Sequence, residues 1–153
     1  MNGLVYRRIF SEDDGDIFQL MQIYQMPTIS QFISIGDNYF HYVTGTENVY
    51  FFKVYDNEKL IGSIHLEINE EILYMVILIL PEFQRMGLAT KVIKDIQNDI
   101  FGLSYKKIDI SIDESNIASR KLFENAGFTF VSKEDELMNY IYNKTDVSQF
   151  VEQ

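Results

Sequence analysis

The run from Ile72 to Leu80 contains no charged residue and no Gly or Pro, then stops at Pro81. Six residues further on, Gly87 opens a segment in which Leu88, Val92, Ile93 and Ile96 fall at helical spacing. A short apolar run rich in Ile and closed by a proline reads as a buried strand, because proline ends backbone pairing. It is less than half of the roughly 20 residues that a membrane-spanning helix needs. A buried strand requires neighbours on both edges, and the following helix needs an apolar surface to cover. Residues 72–100 therefore demand a sheet with helices packed on it, an α/β or α+β layered fold.

The remaining chain supplies those neighbours. Val49 to Tyr55 and Leu60 to Ile68 read as two further strands, joined by Asp56-Asn57-Glu58-Lys59 and followed by Asn69-Glu70-Glu71. Both connections are of hairpin length, so the three strands form an antiparallel meander. Upstream, Leu4 to Phe10 reads as a strand. Ser11, with Asp14 three residues on, reads as a helix start ahead of Ile17, Phe18, Leu20 and Met21. A second helical stretch is expected between Thr28 and Val43, broken near Gly36 and Asp37. Downstream, Lys107 to Ile112 alternates as a strand, Asn116 to Ala126 reads as a helix, and Phe128 to Val131 and Leu137 to Tyr142 close the order β-α-α-β-β-β-α-β-α-β-β.

Composition narrows the chemistry. The 153 residues include 12 Phe and 10 Tyr within a hydrophobic fraction of 46%, enough for one real core. With 13 Lys and Arg against 23 Asp and Glu, the net charge of −10 repels a phosphate backbone and favours cationic partners over nucleic acid. The absence of cysteine excludes disulfides, thiolate metal sites and an acyl-cysteine intermediate. The N-terminal residues lack an export-type apolar stretch, and a cytoplasmic location without membrane attachment is expected. No metal site is expected: His41 and His65 are the only histidines, and G-x-S-x-G, H-E-x-x-H, Walker and G-x-G-x-x-G patterns are missing.

Chemistry is expected at the strand-to-helix junction, from Ile77 to Thr90. The first amides of a helix lack internal acceptors and sit at the positive end of its dipole, a ready anion site. Gly87 lets a ligand approach the backbone and Ala89 keeps the next turn small. Arg85 can add a charge-assisted contact to a diphosphate, while Leu88 is expected to face the core.

This junction resembles the acyl-CoA loop of the GNAT family of N-acetyltransferases, Q/R-x-x-G-x-G/A, which is matched by Gln84, Gly87 and Ala89. A second family element lies downstream. Asn116-Ile117-Ala118-Ser119-Arg120-Lys121-Leu122-Phe123-Glu124-Asn125-Ala126-Gly127-Phe128 is similar to N-x-A-S-x-x-L-[YF]-E-x-x-G-F. The resemblance covers Val49 to Tyr142, and the N-terminal part agrees in element order. It implies one GNAT-like domain over residues 1–153, with a mixed, mostly antiparallel sheet of six to seven strands flanked by four helices. It also implies acetyl-CoA as co-substrate, lying in a wedge between the fourth and fifth strands. The binding residues implied are Ile77, Leu78, Ile79, Gln84, Arg85, Met86, Gly87, Leu88, Ala89, Thr90, Asn116 and Phe123. The main chain of Ile77, Leu78 and Ile79 would pair with the pantetheine arm. Asn116 reads as a helix N-cap, a cofactor contact, or both.

Departures from the family are as informative. Where many members have a tyrosine acid, Phe123 has no proton to give. Fourth-strand positions that often hold a Glu or His base correspond to Leu73 and Met75. The base then comes from elsewhere, acts through water, or is unnecessary. His65, Glu67 and Tyr74 are the nearby candidates, with His65 also readable as an ordinary sheet histidine and Tyr74 as a core aromatic. A Glu70-Glu71 turn puts Glu67 opposite Tyr74; including Asn69 puts it opposite Leu73. The function implied is acetyl transfer from acetyl-CoA to a primary amine, a small cationic or peptide amine, by direct attack in a ternary complex. An acyl-CoA-binding sensor or partner protein without catalysis is the alternative. Tyr24, Gln25, Phe32, Asp37, Tyr39 and Tyr140 are expected to form an aromatic, acidic acceptor surface, and a homodimer is allowed.

Overall fold

A computed structural model of the protein describes residues 3–33 and 35–144. Seven strands form one sheet: β1 Val5–Arg8, β2 Val49–Asp56, β3 Lys59–Asn69, β4 Ile72–Ile79, β5 Lys107–Asp113, β6 Thr129–Glu134 and β7 Leu137–Asn143. Their spatial order is β1-β2-β3-β4-β5-β7-β6, and every pair is antiparallel except β4 with β5. That parallel pair needs a crossover, which α4 Leu88–Gln97 supplies. The other helices are α1 Ile17–Tyr24, α2 Pro27–Ser30, α3 Tyr39–Gly45 and α5 Ile117–Asn125. None of the helices described is long and apolar enough to cross a membrane.

Strand alternation gives the sheet two covered faces. Leu73 and Met75 of β4, with Ile108, Ile110 and Ile112 of β5, point to one face and pack with Val92, Ile93 and Ile96 of α4 and Phe123 of α5. On the other face Leu78, Val49 and Phe51 pack with Leu20 and Tyr24 of α1, Ile29 of α2 and Phe40 and Val43 of α3.

Two expectations change in detail. The stretch Thr28–Val43 holds two short helices rather than one, because residues 31–33 and 35–38 lie off the helical path, so five helices rather than four flank the sheet among the described residues. Ser11 begins a turn instead of a helix. Its Oγ accepts from the Asp13 amide at 3.1 Å, and α1 starts only after Asp16. The polar segment is pulled back by Lys53, which is 8% exposed and donates to Asp14 at 3.0 Å and Asp16 at 2.9 Å. A buried ammonium needs such partners, and they fix where α1 begins.

Both meander turns are two-residue loops with left-handed residues, Asn57 and Glu58 at φ 50° and 67°, and Glu70 and Glu71 at φ 51° and 67°. This is the type I′ geometry that matches strand twist, but glutamate is a poor residue for it. Replacing Glu70-Glu71 by Asn-Gly is expected to stabilise the fold by ~1 kcal/mol, read as a gain of roughly 2–4 °C in Tm. The exposed Glu71–Lys106 ion pair lost in the exchange, 3.1 Å long, offsets little of this. A thermal unfolding curve unchanged or shifted down contradicts the turn assignment.

Candidate active site

The parallel pairing of β4 and β5 extends only over Ile72, Leu73 and Tyr74 against Lys107, Ile108 and Asp109. Beyond Tyr74 the strands part, while β5 stays paired with β7 along its whole length. The opening encloses about 470 Å³ of empty space, part of it open to solvent. Met75, Val76 and Ile77 form one wall, Ile110 to Asp113 the other; Asn116, Ser119 and Phe123 of the α5 region close one side, Phe32 and Ile33 the other.

The backbone of β4 decides what this wedge can hold. The Leu80 amide donates to the Ile61 carbonyl at 2.8 Å, so in the β3–β4 register Leu80, Leu78 and Val76 direct their N–H and C=O groups toward β3. The intervening residues face the gap. The N–H and C=O of Ile77 and the N–H of Ile79 are thus on the open edge. Leu78 does not join them: its main chain is spent on β3 and its side chain is buried under α1–α3. The Ile79 carbonyl is taken by the Gln84 side-chain amide at 3.0 Å, which ties the loop to the strand end.

The loop itself follows a 3₁₀ turn, Pro81–Phe83. Arg85 has φ 65° and Gly87 φ 76°, two left-handed residues that turn the chain sharply into α4. Arg85, Met86 and Gly87 are exposed, whereas Leu88, Ala89 and Thr90 are partly buried. Leu88 packs against the main core. No side chain caps α4, and the first helical bond runs from the Lys91 amide to the Gly87 carbonyl at 3.2 Å. The amides ahead of Lys91 are left for a ligand or water. A Cβ added at Gly87 would meet nothing within 4 Å, so the space above it is open.

Asn116 caps α5, its side chain accepting from the Ser119 amide at 3.3 Å, and also lines the wedge. Phe123, 8% exposed, reaches the same wedge and stacks edge-on against Phe128 with centroids 5.1 Å apart.

On the α1–α3 face, the polar candidates of β3 come together. The His65 ring lies 2.8 Å from the Tyr39 hydroxyl through Nδ1 and 3.1 Å from Glu67 Oε1 through Nε2. The Tyr42 hydroxyl donates to the same Glu67 oxygen at 2.9 Å, and Tyr24 meets Ser63 at 3.2 Å. Burial pushes the His65 ring below its ordinary pKa and outweighs the opposing pull of Glu67. Burial likewise raises the Tyr39 hydroxyl far above the usual phenol range. His65 is therefore a neutral, doubly bonded histidine. Glu67 lies opposite Tyr74, the register of the two-residue turn.

Three sequence expectations are corrected here. Tyr74 is 38% exposed on the Glu67 face, because the helices of that side cover β2 and β3 but stop short of this part of β4. Tyr140 is fully buried on the α4–α5 face, donating to Glu124 at 2.7 Å, and Tyr24 is buried in the core, so neither forms an acceptor surface. Phe32 and Tyr39 do border the site. Tyr42 and Ser63 were not anticipated; Tyr42 lies three residues from Tyr39 on α3, a spacing visible only once α3 is separated from α2.

A seven-stranded sheet that opens between β4 and β5 above an uncapped helix start is the architecture of a known group of transferases. The chain belongs to the Acetyltransferase (GNAT) family, whose profile matches residues 17–128. Similar solved structures share the fold. They include a domain from Methanocaldococcus jannaschii (TM-score 0.77, 24% identity, covering 92% of this chain and 97% of that one). Another is spermidine N-acetyltransferase from Vibrio cholerae in complex with CoA and spermine (0.78, 19%, 92% and 95%). A third is the Campylobacter jejuni N-acetyltransferase PseH in complex with acetyl coenzyme A (0.71, 14%, 93% and 99%). No curated relative matches the chain.

Proposed function

We propose that the protein transfers the acetyl group of acetyl-CoA to a primary amine, a small cationic amine or a peptide amine, by direct attack in a ternary complex. The observation that carries this reading is the wedge: an unpaired β4 edge at Ile77 and Ile79 that runs into a helix start with free amides. These groups fit acetyl-CoA in both of its demanding parts. The Ile77 and Ile79 edge offers alternating donors and an acceptor to an amide-bearing arm, as a strand would. The Arg85–Thr90 loop offers backbone amides, a cation and open space at Gly87 to a diphosphate.

Bound acetyl-CoA supplies the activated acetyl thioester; the chain's own residues bind, orient and exclude water. Ile77 presents an N–H beside the wedge as a donor for developing oxyanion charge. The Phe123 ring packs at the wedge wall and donates no proton. A coenzyme thiol, with pKa about 8.5, leaves as a thiolate without one near neutral pH. The lack of cysteine supports direct attack, and the charge of −10 supports a cationic acceptor. A cytoplasmic setting goes with this reading.

The alternative, an acyl-CoA sensor, is favoured by Phe123, Leu73 and Met75, none of which titrates. Incubating the protein with acetyl-CoA and a panel of polyamines, aminoglycoside-type amines and peptides, while following free thiol, separates the two. Amine-dependent thiol release is expected. Tight acetyl-CoA binding without release across the panel favours the sensor, and no binding at all removes both readings.

A further inference from the structure

The missing fourth-strand base has a replacement one strand away. The acetyltransfer reading above leaves open how the acceptor amine loses its protons, because Leu73 and Met75 of β4 are buried and apolar. We propose that Glu67 of β3 is the catalytic base that takes the amine proton, and that His65 is the positioning residue that holds it.

The geometry runs from backbone to carboxylate. His65 and Glu67 alternate onto the same face of β3 as Val76 and Tyr74, their cross-strand partners on β4. Val76 lines the wedge, so His65 stands one strand, about 5 Å, from its wall. The Glu67 carboxylate leans toward it, bonded to His65 Nε2 at 3.1 Å. Both donors to Glu67, His65 and Tyr42, land on Oε1. Oε2 is thereby left without a side-chain hydrogen bond among the described residues, on a side chain that is 35% exposed. His65 itself has no free nitrogen: Nδ1 faces Tyr39 and Nε2 faces Glu67. The arrangement is satisfied by one proton pattern, the Tyr39 hydroxyl donating to Nδ1 and Nε2–H donating to Glu67.

The ionisable groups facing this pair are Tyr39 and Tyr42 of α3, Tyr24 of α1 behind Tyr39, and Tyr74 of β4 opposite Glu67. No cation is bonded to the carboxylate among the described residues. A cationic amine arriving from the helix side of the sheet therefore finds the free oxygen as its partner, directly or through one water. One proton passes to Glu67 to expose the nitrogen lone pair. The C–N bond then forms and the C–S bond breaks, the nitrogen loses its second proton to solvent, the departing thiolate takes one from solvent, and Glu67 returns its proton to solvent to complete the cycle.

The test uses the full chain, acetyl-CoA and the amine that gives the highest thiol release. Glu67→Gln keeps the shape and the Tyr42 contact, and is expected to lower kcat about 100-fold with acetyl-CoA affinity unchanged. Glu67→Asp, which keeps a carboxylate on a shorter arm, is expected to retain more of the kcat than Glu67→Gln. His65→Leu is expected to lower kcat roughly 10-fold with little change in KM, and His65→Gln, which retains a donor toward Glu67, to recover most of it. A wild-type-like kcat in Glu67→Gln, or equal losses in Glu67→Gln and Glu67→Asp, overturns the base assignment while leaving acetyl transfer intact. Equal losses in His65→Leu and His65→Gln overturn the positioning role. No thiol release from a wild-type protein that binds acetyl-CoA overturns acetyl transfer itself, and the base with it.

Discussion

Gly87→Glu is expected to weaken acetyl-CoA binding by more than 100-fold while leaving the protein folded. Gly87 sits at φ 76° immediately before α4, where the free helix amides and the left-handed Arg85 converge. A side chain there projects into open space, since no atom lies within 4 Å of an added Cβ. The fold therefore accommodates it, at a cost of ~1–2 kcal/mol for a left-handed non-glycine residue. The ligand does not. A carboxylate would stand where the diphosphate is proposed, and placing like charges together costs several kcal/mol. Gly87→Asn separates charge from shape, because asparagine tolerates the left-handed region and is neutral; its affinity is expected to stay within about tenfold of wild type. Calorimetry that finds normal acetyl-CoA affinity in Gly87→Glu removes the helix start from the binding site.

Features set by local chemistry are the ones legible in the sequence. The polar stretches Asp56–Lys59 and Asn69–Glu71 between apolar runs announce two hairpins, and both are present, the register showing that each closes on a two-residue loop. Pro81 announces the end of β4, and the Leu88–Ile96 spacing announces the helix and its buried face. What escapes is set by tertiary partners. Ser11 has the pattern of a helix start, but the buried Lys53, 39 residues from Asp14, draws the acidic segment onto the sheet and delays α1. Tyr74 sits in a run that reads as core throughout, yet its exposure depends on where α1–α3 stop, which no residue near it records.

The residues of the proposed site divide the same way. The junction from Ile77 to Thr90 and the Asn116 cap are readable because strand, turn and helix chemistry must occur at fixed spacings there. The division of labour inside the junction is not. Only the register shows that Leu78 turns its main chain to β3 while Ile77 and Ile79 face the gap, and that Gln84 spends its amide on Ile79. The Tyr39–His65–Glu67–Tyr42 chain joins α3 to β3 across 25 and 26 residues of sequence, so no local pattern carries it.

Gly62→Ala is the second large effect expected, and its origin lies away from the wedge. An isolated glycine within a strand marks a bulge or a close backbone approach, and Gly62 has both. The β2–β3 register slips between Val54 and Tyr55, where Ile61 is the extra residue. A Cβ on Gly62 would lie 2.0 Å from the Leu78 carbonyl oxygen and 3.1 Å from its carbon. Both are backbone atoms in the middle of the sheet, so no side chain can swing away; β4 itself must move. The expected loss is ~3 kcal/mol, at the upper end for overpacking, read as roughly 6–12 °C in Tm. The displaced segment is the one whose opposite edge, at Ile77 and Ile79, forms the wall of the wedge. Acetyl-CoA affinity is therefore expected to fall at least tenfold at a temperature where the variant is still folded. Gly45→Ala, at a glycine of α3 with open space around it, is the control and should lose neither. A Gly62→Ala protein that melts within 2 °C of wild type, or that melts early yet binds acetyl-CoA normally, breaks the link between the close approach at Leu78 and the position of the β4 edge.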